Sequence, residues 1–149
     1  MKNSLILFAT LLLLACGNTK EVVEEKSPTK EYWPLLNEKT FDLKEISTDK
    51  TYGYTEKNPI MVGGVPTSEG PLNERRYLNA LAGPKGEYIT YTRTGSCCQF
   101  ESENGFMGSG LLDMYELTWK NQDEPITLYI NMYDAGELKT PKGLTIAKK

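Results

Sequence analysis

Two stretches near the C-terminal end constrain the fold most, because their apolar residues recur every second position. In Leu111–Lys120, Tyr115, Leu117 and Trp119 share one face, opposite Met114, Glu116 and Thr118. In Ile126–Asp134, Ile126, Leu128, Ile130 and Met132 lie opposite Thr127, Tyr129, Asn131 and Tyr133. A period of two is the signature of a half-buried strand. The intervening Asn-Gln-Asp-Glu-Pro is turn-forming, so the pair is expected to be an antiparallel hairpin. A third alternating stretch, Glu87–Thr94, puts Ile89 and Tyr91 on one side and Tyr88, Thr90, Thr92 and Thr94 on the other. Asn58–Gly64 reads as a short strand. Leu72–Ala82 reads as a helix capped near Asn73, with Leu78, Leu81 and Ala82 on its buried face, and Gly83-Pro84 ends it. These elements predict an α+β fold: a small antiparallel sheet of three to five strands with one packed helix.

The N-terminal end carries a different signal. Lys2 precedes an apolar run, Leu5–Leu14, and small Ala15 precedes Cys16. A run of this length is too short for a mature membrane span and has the layout of a cleaved export signal. Leu13-Leu14-Ala15-Cys16 is similar to the lipobox of bacterial lipoproteins, in which cleavage leaves the cysteine as an acylated N-terminus. Residues 1–15 are therefore expected to be a signal peptide, 16–34 an acylated tether and 35–149 one domain. Gly17–Lys30 is charged and contains few bulky apolar residues, which suits a spacer. Its acids Glu21, Glu24 and Glu25 allow a surface-export signal as an alternative. Tyr32, Trp33, Leu35, Leu36 and Phe41 are too apolar for a tail and should pack on the domain edge.

The net charge of −3 brings no basic stripe, so nucleic acid is not an expected partner. It gives no attraction to anionic lipid either, which leaves the acyl chains on Cys16 as the membrane contact. Histidine is absent, which removes the usual general base and the usual metal ligand. No metal and no cofactor is expected. The expected location is the cell envelope, with the outer membrane preferred to the inner and the leaflet left open.

Five features bear on chemistry. Gly95–Gly110 reads as a long connection holding four glycines, Phe100 and Phe106. It is either a packed loop with both rings in the core or a ligand-binding loop. Within it, Cys97 and Cys98 are adjacent. They are open to three readings: a disulfide that stiffens the loop or acts as a redox switch, two independent thiols, or a thiol site for metal or catalysis, with Arg93 near enough to lower a thiol pKa. Tyr129, Asn131 and Tyr133, with Thr90 and Thr92, form a polar aromatic face suited to carbohydrate or peptide contacts. Asp113 shares a strand face with Tyr115 and is expected to be partly buried. Arg75 and Arg76 read as a solvated helix face or an anion site.

Asp49-Lys-Thr-Tyr-Gly-Tyr-Thr-Glu-Lys-Asn-Pro-Ile60, Tyr77-Leu-Asn-Ala-Leu81, Gly95-Ser-Cys-Cys98, Gly110-Leu-Leu-Asp113 and Leu128-Tyr-Ile-Asn-Met-Tyr-Asp134 run through almost all of the folded part. In these segments, from Asp49 to Gly143, the chain resembles a family of small bacterial lipoproteins. Its members often carry the name 2-dehydro-3-deoxyphosphooctonate aldolase. The resemblance implies a lipid-anchored protein and, by that name, an aldolase-type lyase; it brings no set of site residues. Such a lyase uses a Schiff-base lysine or a divalent metal. Lys85 and Lys120 are the candidate amines, both in apparent turns or strand ends. The leading expectation is an envelope lipoprotein whose domain binds a protein, carbohydrate or peptide partner. The alternatives are the lyase and a thiol–disulfide redox sensor at Cys97-Cys98.

Overall fold

The computed structural model describes residues 33–148. Cys16, the apolar run before it and the spacer after it lie outside the described residues. Among the described residues no helix is long and apolar enough to cross a membrane.

The architecture is α+β. The elements in chain order are β1 (Leu35–Asn37), β2 (Thr40–Phe41), β3 (Ile60–Met61), a 3-10 turn (Val65–Thr67), α1 (Gly70–Leu78), β4 (Leu81–Ala82), β5 (Thr90–Phe106), β6 (Ser109–Thr118), β7 (Ile126–Asn131) and β8 (Thr145–Ile146). The main sheet has the order β3-β7-β6-β5, and two short ribbons, β1-β2 and β4-β8, flank it. The β5–β6 and β6–β7 pairs are antiparallel, as the alternating patterns predict. The short β3 departs from an all-antiparallel sheet: it pairs with β7 in parallel, Ile60 beside Ile130.

The register explains the core. Tyr91 pairs with Leu117, and Leu117 in turn with Ile126; Arg93 pairs with Tyr115, and Tyr115 with Leu128; Asp113 pairs with Ile130. These rows form the inner face, over which α1 lies. Ile60, Leu117, Leu128 and Ile130 are sealed from solvent. At about 1.5–3 kcal/mol for each fully buried side chain, these four strand residues supply much of the sheet's stability. Tyr77 of α1 is equally buried, and its hydroxyl donates to the Lys139 carbonyl at 2.6 Å, tying the helix to the C-terminal segment. Trp33, placed by sequence at the end of the tether, belongs to the core cluster together with Phe41 and Leu43.

Two expected elements differ. The helix is shorter than Leu72–Ala82 and begins earlier, with Glu69 rather than Asn73 at its N-cap. Leu81 and Ala82, expected on its apolar face, instead form β4 and pair with Ile146 and Thr145. The buried residues of α1 are Gly70, Asn73, Glu74, Arg76, Tyr77 and Leu78, so Leu78 is buried as expected while most of the rest of that surface is polar. Gly95–Gly110 is likewise no loop. β5 continues through it to Phe106 and turns at Met107-Gly108 into β6. Three irregularities, between Arg93 and Gly95, Cys97 and Gln99, and Glu101 and Phe106, interrupt the ladder. Each extra residue flips the side-chain alternation, so the period of two is lost from the sequence although the strand goes on.

Candidate functional site: the outer face of the sheet

The second bulge sets the geometry of the cysteines. Cys97 pairs with Leu112 and Gln99 with Leu111, which leaves Cys98 as the inserted residue, with φ of 57°. In a regular strand these neighbours would point to opposite faces. The bulge removes that obstacle, and the two sulfurs are bonded, with the Cα atoms 3.7 Å apart. Both residues are half-buried. Arg93 does not serve them. Its guanidinium grips Asp113, Nε donating to Oδ2 at 2.7 Å and Nη2 to Oδ1 at 2.8 Å.

The same register gathers the sequence candidates on the outer face, away from α1. Phe100 pairs with Gly110, Cys97 with Leu112, Gly95 with Met114 and Thr92 with Glu116. On the other side of β6, Met114 pairs with Tyr129 and Glu116 with Thr127. Phe100 and Tyr133 meet edge-to-face, ring centroids 5.8 Å apart, across Gly110. A Cβ on Gly110 would fall 2.6 Å from Phe100 and 2.9 Å from Tyr133, so glycine here is what lets the two rings touch. The outer face thus runs from an aromatic pair, past the disulfide, to a half-exposed Met114–Tyr129 pair and a margin of Thr92, Glu116 and Thr127.

Two of the expected ligand residues do other work. Asn131 is buried, and its carbonyl accepts the backbone N–H groups of Tyr133 and Asp134 while its amide donates to the Asp134 carboxylate. It shapes the turn after β7 and has no surface to offer. Phe106 belongs neither to the outer face nor to the core; it stands 85% exposed at the hairpin end. The packed-loop reading of Gly95–Gly110, with both rings in the core, is corrected accordingly.

The inner face holds a polar cluster that sequence reading only half sees. Asp113 is 5% exposed and accepts from Arg93 and from the Ser96 hydroxyl at 2.8 Å. Arg93 also donates to the Ser96 oxygen. Beside them Glu74 of α1 is 1% exposed and accepts the Tyr115 hydroxyl at 2.9 Å. Burial first, and then the negative charge of Asp113, push the Glu74 carboxyl up to about 7; the Tyr115 hydrogen bond and the charge of Arg93 oppose the rise without cancelling it. Burial and the same Glu74 carboxyl hold the Tyr115 phenol well above its ordinary range. A carboxyl tuned to neutrality suits general acid–base work, but a group this sealed meets no substrate. Its geometry is that of a clamp between helix and sheet. The parity of Asp113 is legible in the sequence; the separation of 41 positions between Glu74 and Tyr115 hides the other half.

The remaining candidates fall elsewhere. Arg76 is buried and structural, donating to Asn73, Glu69 and the Glu38 carbonyl, while Arg75 is exposed. Lys85 and Lys120 are both exposed, so neither amine is desolvated as a Schiff-base lysine requires. Among the described residues no three His, Cys, Asp or Glu side chains gather into a metal-binding group. A groove of about 200 Å³ lies apart from the sheet face, lined by Trp33, Phe41, Leu43, Lys44, Glu137 and Leu138.

Fold and face together define a small α+β domain with a helix on one side of its sheet and a partly open aromatic surface on the other. Set against protein-family models, curated proteins and solved structures, the chain matches none of them.

Proposed function

We propose that the protein is a lipid-anchored envelope lipoprotein whose domain binds a carbohydrate or peptide on the outer sheet face. The observation that carries this reading is the convergence of Phe100, Tyr133, Cys97-Cys98, Met114 and Tyr129 on the one sheet face that α1 does not cover. Leu112 in the same row is sealed from solvent, while Met114 and Tyr129 stay half-exposed beside it. A row of rings and thioether flanked by threonine hydroxyls offers apolar area for a sugar ring or peptide side chain, with hydrogen bonding at its margin. The Leu-Leu-Ala-Cys16 segment supports the anchor, and acylation there would hold the face close to a membrane.

Isolated cell-wall sacculi, which present both glycan strands and peptides, test the reading directly. The full chain should co-sediment with them, and Tyr129→Ala should reduce the bound fraction at least five-fold while leaving the melting temperature within a few degrees. Equal binding by the variant, or sedimentation no greater than that of an unrelated protein of similar charge, contradicts it.

A further inference from the structure

The end of the β5–β6 hairpin is built against local preference. Phe106 pairs with Ser109, and the two residues between them, Met107 and Gly108, have φ of 53° and 77°. Two successive positive φ values are those of the primed two-residue turn, whose first position favours Asn, Asp or Gly. Methionine there places Cβ against the following carbonyl and gains nothing in return from its neighbours. Met107 is 88% exposed, and Phe106 beside it 85%. Neither turn chemistry nor burial accounts for two large apolar side chains at this point. A local choice that conflicts with both marks a site kept for contact with something else.

The tip is also braced rather than loose. Ser102 donates its N–H to the Gly108 carbonyl at 3.1 Å, and its hydroxyl donates to Asp134 at 2.7 Å. The Asn104 amide donates to the same carboxylate oxygen at 3.0 Å. Gly105 lets the chain pass against the Ser109 carbonyl, where any Cβ would collide. The hairpin end is thereby pinned to the turn after β7. A rigid apolar end loses little freedom on docking, which favours binding.

Charge selects the partner. From Thr94 to Trp119 the chain has no Lys or Arg, and Glu101 and Glu103 are exposed beside the tip. An anionic bilayer repels such a hairpin, whereas an apolar pocket edged with Lys or Arg complements it. We propose that Phe106 and Met107 form a plug that docks into an apolar pocket with a basic rim on a partner protein. Phe is the anchor, and Met, which adapts to irregular pockets, sits at the centre of the contact. This surface is separate from the outer sheet face, and the inference does not depend on what that face binds.

The test places a photoreactive phenylalanine analogue at position 106 or 107 of the full chain in its native cells. The expected result is one discrete protein adduct whose cross-linked peptide maps to an apolar cleft with Lys or Arg at its edge. Purified full chain should then bind the purified partner, with Met107→Asn and Phe106→Ser each weakening the complex at least ten-fold. Met107→Asn restores the favoured turn residue, so its melting temperature should equal or exceed that of the unaltered protein. Glu101→Lys combined with Glu103→Lys should weaken the complex at low salt and lose that effect at high salt. Absence of a protein adduct at both positions, cross-linking to lipid alone, or undiminished affinity of Met107→Asn overturns the proposal. So does a blue shift of Phe106→Trp fluorescence on mixing with phosphatidylglycerol vesicles, which would assign the tip to membrane.

Discussion

Glu74 sets how the protein responds to pH. Its carboxyl holds its proton to about pH 7 in the folded state, against an ordinary value of 4.5. Below 4.5 folded and unfolded chains are both protonated, and this group then leaves stability independent of pH. Between 4.5 and 7 the unfolded chain releases the proton while the folded one retains it, so stability falls as pH rises. Linkage sets the full loss at roughly 3 kcal/mol, complete above pH 7. Asp113, Arg93 and Tyr115 are the groups around it that set this balance. Glu74→Gln keeps an acceptor for the Tyr115 hydroxyl and removes the titration. Thermal unfolding from pH 5 to 8.5 should show the variant gaining several degrees on the unaltered protein as pH rises, and parallel curves would contradict the assignment. Among single residues, Asp113 was legible because strand parity places it inward beside Tyr115. Glu74 was not, because the α1 face it belongs to is polar and its partner lies far along the chain.

The β5–β6 hairpin is where local sequence and element part company. β6 and β7 keep an unbroken period of two and read correctly as strands. β5 keeps it only to Thr94, where the first bulge reverses the faces; Cys98 and the Glu101–Phe106 irregularity reverse them again. Its glycines then look like loop signals, although they serve a strand: Gly110 opens the gap in which Phe100 and Tyr133 meet. The reading of a helix through Ala82 fails for a related reason, since Leu81 and Ala82 find partners in β8, more than sixty residues later. Gly110→Ala should force the two rings apart and cost about 1–2 kcal/mol, measured by urea denaturation. In a Phe100→Ala background the same substitution should cost clearly less, because one of the two obstructing rings is gone. Equal costs in both backgrounds would mean the rings do not constrain position 110.

At the scale of the whole molecule, the fold divides its labour between two sheet faces. The inner one carries the core and the acidic clamp under α1. The outer one carries the aromatic pair, the disulfide and the Met114–Tyr129 pair, and the hairpin projects Phe106 and Met107 beyond both. The proposed anchoring belongs to this scale too. Cys16→Ser should abolish labelled palmitate incorporation and move the protein out of the membrane fraction, while palmitate labelling that persists in the variant would place the lipid elsewhere. The central claim concerns the outer face, and its most direct measurement is amide NMR of the full chain during titration with soluble disaccharide-peptide fragments of the cell wall. Chemical-shift changes should concentrate at Thr92, Cys97, Cys98, Met114 and Tyr129 and saturate together. No saturable change, or changes confined to α1 and the inner-face residues, would contradict the account.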